Sequence, residues 1–567
     1  MPRSARAGML PGEMGTLAVF NFDAFSAGFV NWVWASPLFF LLLGCGLIFS
    51  VVSKFVQWRV LSHGYSCIRG DYDRPEDTGH INHFQALCAA LSATVGLGNI
   101  AGVAVAISIG GPGAVFWMWV VGLFGMALKF MECSLAVMYR DVRDVPDPSA
   151  PALMEMDAED RTLEYAGEAP PQPGAVPRAR GEVRGGPMWY IQKALVEPLR
   201  RRGNAAWVPF KVLAVMFALA TVLNSFGGGN MFQGWNVSNT LRSYFQVPVY
   251  LSAAIVSALV AMVIIGGIKR IGQVASKLVP FMCVVYVLGA LYVIALNISD
   301  VPRYLAQIFT DAFTPAAEAG GFAGASIWIA FQQGLRRACF SNEAGEGSAA
   351  MAHAAAKTDE PIREGVVAGI GPFIDTIIIC TMSAMVLLMT GAWNRPALGT
   401  VTAIDGNIVS VACSTDLPEG FHRTYFEAVT AGKGRELAIH LAHEKGKDPD
   451  VLVAPIGVID GDIQGGWRSL SAFTFSLQDE EKVEGDRTRL AVGQPVHVNL
   501  DGAQLTAFAF DSTIFGFGKY MVTLGVCLFA FSTMISWSYY GEKGAEYLLG
   551  PQAILPYKFM FVVVVFA

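Results

Sequence analysis

Long apolar stretches limit the fold of this chain more than any other feature. Nine segments of roughly twenty mostly apolar residues run along it, at approximately 34–57, 84–108, 113–139, 207–241, 247–267, 275–297, 322–342, 364–391 and 516–540. A tenth begins near Tyr557 and stops at Ala567, too short to cross, so the chain reads as cut off inside a helix. Lipid offers a backbone no hydrogen-bond partner, so such segments span as helices. The expected fold class is therefore an all-α polytopic membrane protein.

Charge usage agrees. Only 15% of the residues are charged and 53% are hydrophobic, against about 25% charged in soluble proteins. A net charge of −6 excludes a nucleic-acid binder, and the apolar content excludes a wholly disordered chain. The nine cysteines form no Cys-x-x-Cys pair, which argues against a disulfide framework or a zinc site.

Basic residues orient the spans. Lys54, Arg59, Arg69 and Arg74 follow the first span, and Arg140, Arg143 and Arg200 to Arg202 the third. Lys269, Arg270 and Lys277 follow the fifth, Arg336, Arg337, Lys357 and Arg363 the seventh, and Lys543 and Lys558 the ninth. All follow odd-numbered spans, so that side is cytoplasmic and the N-terminus lies outside.

The chain divides accordingly. Residues 1–33 form an outer N-terminal segment, and 34–140 hold the first spans. Residues 141–186 are rich in Pro, Asp and Glu and read as a disordered cytoplasmic loop. Residues 187–393 carry further spans, and 516–567 a span and the start of the next. Between them, 394–515 alternates strand-like runs with the turn dipeptides Asp405-Gly406, Asp460-Gly461 and Asp501-Gly502. It is expected to be a small β-rich extracytoplasmic domain serving as a spacer or docking module. The run from Glu436, ELAIHLAHE, reads as a helix within it. Its lone Cys413 is expected to be buried or incidental.

Some apolar spans contain polar breaks. Leu91-Ser92-Ala93-Thr94-Val95-Gly96-Leu97-Gly98-Asn99 places two glycines inside a span, each weakening the helix by about 1 kcal/mol. A break frees amides that favour an anion, and carbonyls that with Ser92 and Thr94 hydroxyls suit a small hard cation. Close helix packing is the alternative, and Asn99 favours the site. Phe340-Ser341-Asn342-Glu343-Ala344-Gly345-Glu346-Gly347-Ser348 is a second break, and paired breaks point to a transporter site. Arg336, Arg337 and Glu343 are expected in an inner gate or a structural ion-pair network, and His353 on a solvated face.

Other polar residues carry two readings each. Asn230 and Gln233, three apart, serve a substrate or bond helices together. Lys129 and Glu132 neutralise each other. Asp375 is expected to pair with a basic residue or a helix end rather than to carry protons. Ser532 and Thr533 bond back to their own helix or complete a sodium shell, and Trp537 lies one turn beyond as a pocket wall. The turn Gly110-Gly111-Pro112-Gly113 is structural. No nucleophile–base pair, metal cluster or phosphate loop suggests an enzyme.

Together the runs ATVGLGNIAGVAVAI, GGPGAVFWMW, GGPMWYI, SNEAGEGSAAMAHAAAKT, FIDTIIICT and FSTMISWSYYGEK resemble the alanine or glycine:cation symporter family. The resemblance implies a leucine-transporter-like fold, two inverted five-helix repeats after one extra N-terminal helix, here with the last helices truncated. It implies symport of alanine or glycine with sodium, or with protons, across the bacterial inner membrane, and no other cofactor. Carried over, Thr94, Gly96, Leu97, Gly98, Asn99, Gln233, Thr533 and Trp537 meet the substrate. Carbonyls of Ser92 and Val95 and hydroxyls of Ser532 and Thr533 hold sodium. The family pattern has Thr where this chain has Leu97, so a hydroxyl contact is lost there. A non-transporting amino-acid receptor or interaction protein is the alternative that the truncation and the outer insertion suggest.

Overall fold

The computed structural model describes residues 36–74, 77–146, 178–314, 327–394, 399–405, 408–413, 436–440, 452–454, 456–458, 473–477, 495–499, 502–514 and 516–566. Helices dominate, and they follow the apolar stretches closely.

Helix α1 (Ser36–Val52) turns by 71° into α2 (Val56–Arg69). Lys54 and Phe55 take positive φ at that corner, a bend that apolar content alone does not reveal. Helix α3 (His83–Thr94) meets α4 (Gly98–Gly110) at 51°. Then follow α5 (Gly113–Met138), α6 (187–201), α7 (Trp207–Phe245), α8 (Val249–Ile264), α9 (Gly267–Leu296) and α10 (Val301–Asp311). Helix α11 (Ile327–Asn342), the short α12 (Ala349–His353) and α13 (Pro361–Met389) complete the centre of the chain. Helices α14 (Gly502–Thr513), α15 (Phe517–Leu549) and α16 (Ile554–Phe566) close it.

Five of the described helices are long and apolar enough to cross a membrane, or up to seven if each bent pair is one span. The chain is thus a polytopic, mainly helical membrane protein. Burial separates centre from rim. In α15, 78% of the most apolar window is buried, against 28% in α7 and in α9. Helix α15 therefore forms the axis, packed by α3, α7, α9 and α14. The rim helices show apolar side chains such as Leu223, Ile255 and Leu288 outward, as lipid-facing surface requires.

Wide π turns interrupt three of the helices. They occupy Gly98–Gly102 in α4, Gly227–Met231 in α7 and Phe373–Cys380 in α13. In α13 the turn follows Pro372, whose ring removes an amide donor and disturbs the helical ladder. In α4 and α7 it opens on glycine. Such turns re-aim side chains at functional sites, and here they hold Asn99, Asn230 and Asp375.

The polar insertions are more ordered at their ends than expected. Strand β1 (Asp141–Pro146) pairs antiparallel with β2 (Arg178–Arg184), with Asp141 opposite Arg184 at one end and Pro146 opposite Arg178 at the other. Residues 147–177 lie outside the described part. Arg184, buried at the end of β2, forms an ion pair with Glu546 of α15 at 2.5 Å.

In the second insertion, strands β3 (Gly399–Asp405), β4 (Ile408–Cys413), β5 (Glu436–His440), β6 (Leu452–Ala454), β7 (Ile456–Val458), β8 (Phe473–Leu477) and β9 (Pro495–Asn499) form one antiparallel sheet in the order β6-β8-β9-β3-β4-β5-β7. The hairpin around the first turn dipeptide pairs Asp405 with Ile408. The run from Glu436 is a strand and not a helix: Leu437 and Ile439 alternate, and β5 is paired on both sides, by β4 and β7. Cross-strand pairing there overrides helix propensity. Asp460-Gly461, and the side chain of Cys413, lie outside what is described. The last part of the insertion is helical. Helix α14 folds back onto α4, with the Thr506 hydroxyl donating to the Ile100 carbonyl at 3.0 Å.

Candidate functional site

The first break is built by Asn99. Helix α3 starts in a capping box, Asn82 Oδ1 accepting from the Gln85 amide at 2.8 Å, and ends where Val95 turns extended. The next amide, of Gly96, donates to Asn99 Oδ1 at 2.7 Å, while the Asn99 amide donates to the Gly96 carbonyl at 3.1 Å. The remaining Asn99 donor, Nδ2, reaches Asp375 Oδ1 at 2.8 Å and Ser341 Oγ at 2.9 Å. Ser341 and Thr376 hydroxyls also donate to Asp375, at 2.6 and 2.9 Å. Asp375 is fully buried. Among the described residues no basic side chain pairs with it, so of the two expected partners, a basic residue or a helix end, the first is not found. Three neutral donors hold it instead.

The second break follows α11. Glu343 adopts a left-handed φ of 51°, and Gly345 and Gly347 take φ of 86° and 79° before α12 resumes. Residues without Cβ reach such angles at no steric cost, so the glycines carry the chain round the corner. Glu343 is held there by two donors, Trp537 Nε1 at 3.2 Å and Ser348 Oγ at 2.5 Å. Lys129 and Glu132 pair at 3.2 Å as expected, and Glu132 also accepts from the Gly347 amide at 3.2 Å.

Between the breaks lies a cavity of about 170 Å³. It is lined by Ala93, Thr94, Gly96, Leu97, Gly98, Asn224, Gly228, Gln233, Phe340, Glu343, Glu346, Thr533 and Trp537. Close approaches define its walls. A Cβ on Gly96 would lie 3.2 Å from Thr533 Oγ1, and one on Gly229 would lie 2.4 Å from the Trp537 Cβ. The amides of Leu97 and Gly98 stand at the start of α4, where a helix has no acceptor of its own. Gln233 Nε2 donates to the Gly228 carbonyl at 3.0 Å, so its Oε1, buried and unpartnered, is the free end.

A second group of oxygens joins α3 to α15. Ser92 Oγ donates to the Ser532 carbonyl at 2.6 Å, and Ser532 Oγ donates to the Ser92 carbonyl at 3.2 Å and the Phe529 carbonyl at 2.8 Å. Thr533 Oγ1 lies 3.5 Å from the Ala93 carbonyl. Ser536 Oγ donates to the Ala89 carbonyl at 2.8 Å. These are hard oxygen donors of the kind a small hard cation prefers.

Of the residues singled out in the sequence, Thr94, Gly96, Leu97, Gly98, Gln233, Thr533 and Trp537 share the cavity. Thr94 Oγ1 also lies 3.4 Å from the Ala90 and Leu91 carbonyls of its own helix. Asn99 does not line the cavity, because its side chain closes the break and holds Asp375. The Gly96 amide is likewise taken by Asn99. Ser92, Ser532 and Thr533 meet in the oxygen cluster, where the described hydrogen bonds between α3 and α15 run through Ala89, Ser92 and Ala93 and not Val95. Asn230 turns away from the cavity, its Nδ2 donating to the Phe561 carbonyl of α16 at 2.8 Å.

Four residues depart from expectation. Glu343 is in the cavity wall, and its Trp537 contact replaces the ion-pair network. Arg336 and Arg337 lie inside α11, before the break, and not beyond a span end. His353 is buried, its Nδ1 bonded at 2.5 Å to Glu364, whose other oxygen meets His83; packing of α12 against α3 and α13 hides what looked like a solvated face. Glu346 was not singled out. The signal was present, since a carboxylate three residues after Glu343 shares the same glycine-rich corner.

Fold and site together define a polytopic membrane protein with a central cavity between two broken helices. Comparison with known proteins identifies the group. The chain belongs to the sodium:alanine symporter family, whose model matches residues 21–147, 176–426 and 488–567. The two internal unmatched stretches, 148–175 and 427–487, fall inside the two polar insertions. A sodium/alanine symporter, AgcS, of Methanococcus maripaludis is 33% identical over 94% of this chain and 86% of its own length. An uncharacterized transporter of Haemophilus influenzae is 40% identical over 66% of this chain and 71% of its own. A probable sodium/glutamine symporter of Bacillus subtilis is 34% identical over 67% and 68%. The family is one of cation-coupled amino-acid symporters, a transport and not a catalytic role.

Proposed function

We propose that the chain carries alanine or glycine into the cell together with sodium, by alternating access on a leucine-transporter-like inverted repeat preceded by α1. On this reading it sits in the bacterial inner membrane with its N-terminus and the 394–515 insertion outside. The observation that carries the reading is the shared cavity. Both broken helices reach it, along with α7 and α15, and its two ends differ in chemistry. The Leu97 and Gly98 amides, at the positive end of a half-helix, suit the substrate carboxylate. Glu343, an acceptor, suits its ammonium group. Trp537 supplies the wall that limits side-chain size.

Sodium takes the oxygen cluster between α3 and α15. Its binding draws Ser92 and Ser532 onto one ion and fixes the end of α3. That fixes the break and the amides beyond it, so each ligand raises the affinity for the other. The test is uptake of radiolabelled alanine by liposomes holding the full chain under an inward sodium gradient. Uptake that follows the gradient and is lost in Gln233→Ala and Thr533→Ala supports the reading. Binding with no flux under any gradient contradicts it and favours a receptor.

A further inference from the structure

The cavity wall carries hydrogen-bond acceptors besides Glu343. Glu343 already accepts from Trp537 and Ser348 and has room for one ammonium group. Glu346 also lines the cavity. It is exposed, and among the described residues no cation and no donor pairs with its carboxylate. Lys129 of α5 is committed to Glu132 at 3.2 Å.

A second, independent group points the same way. Gln233 is 5% exposed, and its Oε1 has no partner. Its orientation is set by chemistry, because the Gly228 carbonyl can only accept and so faces the Nε2 end. The free Oε1 is the unpaired end of a side chain that lines the cavity. Ionisable side chains beside the cavity of a membrane protein mark substrate or ion pathways. The cavity, about 170 Å³, exceeds the roughly 150 Å³ that accommodates a six-atom ring, so there is room past a methyl group.

We propose that Glu346 is a specificity-determining residue, which with Gln233 Oε1 selects amino acids whose short side chain presents N–H donors. This rests on the symport reading and extends its substrate class beyond alanine and glycine. Two sources share that chemistry, a neutral amide as in asparagine and a cationic amine as in 2,3-diaminopropionate. Aspartate, which brings a third carboxylate, is rejected.

The test is displacement of radiolabelled alanine from the purified full chain in sodium buffer by asparagine, 2,3-diaminopropionate, glycine and aspartate. At least one donor-bearing amino acid should displace alanine tenfold better than glycine does, and aspartate should fail. In Glu346→Leu the ratio of that competitor's affinity to alanine's should fall at least tenfold. Glu346→Gln, which keeps an acceptor oxygen and loses the charge, separates the sources: it spares asparagine if the amide is read and not if the amine is. If alanine binds but the competitor ranking is the same in wild type and Glu346→Leu, the proposal is wrong and the symport reading stands. If Glu346→Leu changes only the pH dependence of uptake, Glu346 carries a proton and the proposal is overturned. If no amino acid binds in sodium, the symport reading itself fails.

Discussion

Ser92 and Ser532 exchange hydrogen bonds across α3 and α15, each hydroxyl donating to the other's carbonyl, at 2.6 and 3.2 Å. The pair closes two apolar helices over four oxygen atoms without a charged group. On the proposed reading, a cation entering there would meet the lone pairs of these hydroxyls and carbonyls, so ion binding and helix packing would share one set of atoms.

Ser532→Ala removes one hydroxyl of this exchange and leaves both carbonyls. The loss of neutral hydrogen bonds costs about 1 kcal/mol of stability. The sodium concentration needed for half-maximal alanine binding should rise at least tenfold, while unfolding in detergent shifts by only a few degrees. An unchanged sodium requirement would place the ion elsewhere.

Gly229→Ala tests the wall. A Cβ there would sit 2.4 Å from the Trp537 Cβ, and overpacking of this kind costs about 1–3 kcal/mol. Trp537 has to move, and with it the bond from Nε1 to Glu343. A lower melting temperature with at least tenfold weaker alanine binding is expected. Trp537→Phe keeps the wall and drops the donor, so its binding should weaken with little change in melting.

Asn99→Ala leaves the Gly96 amide and the Asp375 carboxylate each short of a partner. An unsatisfied buried group costs about 1–3 kcal/mol, so this should be among the most destabilising single changes in α4. Asp375→Asn places an amide against donors from Ser341, Asn99 and Thr376 and should be similarly harmful. A denaturation series in detergent decides it: wild-type stability in Asp375→Asn would mean that the hydrogen-bond network does not hold the break.

Outside the spanning helices, burial pushes the Asp511 carboxyl of α14 up to about 6, against the opposing pull of the Gly518 amide. Its folded value lies above the unfolded one, about 3.9. The folded state therefore holds the proton more tightly, and the stabilisation is full below about pH 4 and lost as the pH rises through about 6. Asp511→Asn removes the titration. The difference in melting temperature between Asp511→Asn and wild type should favour the variant more at pH 7.5 than at pH 4.5. An equal difference at both values would show that Asp511 does not titrate in this range.

The apolar helices, the two breaks and much of the cavity wall were legible in the sequence, because apolarity and glycine placement are local properties; the number of helices long enough to cross was not, since five to seven of the described ones qualify against nine expected. Gly96, Gly98 and Trp537 could be found that way. The role of Asn99 could not, since its partners Ser341 and Asp375 lie more than two hundred residues on and meet it only through packing. The same holds for Asp375, whose stabilisation comes from neutral donors on three helices and not from an opposite charge. His353 was misjudged because a helix face looks solvated until α12 is seen folded against α3. The helix expected at Glu436 failed for a like reason: β4 and β7 supply ladder bonds that propensity does not count.

The most direct test of the account is equilibrium binding of radiolabelled alanine to the purified full chain, with sodium and with sodium replaced by choline. The account predicts binding that appears only with sodium and is displaced more readily by glycine than by leucine. Alanine binding of equal strength in choline, or a folded chain that binds none in sodium, would contradict it.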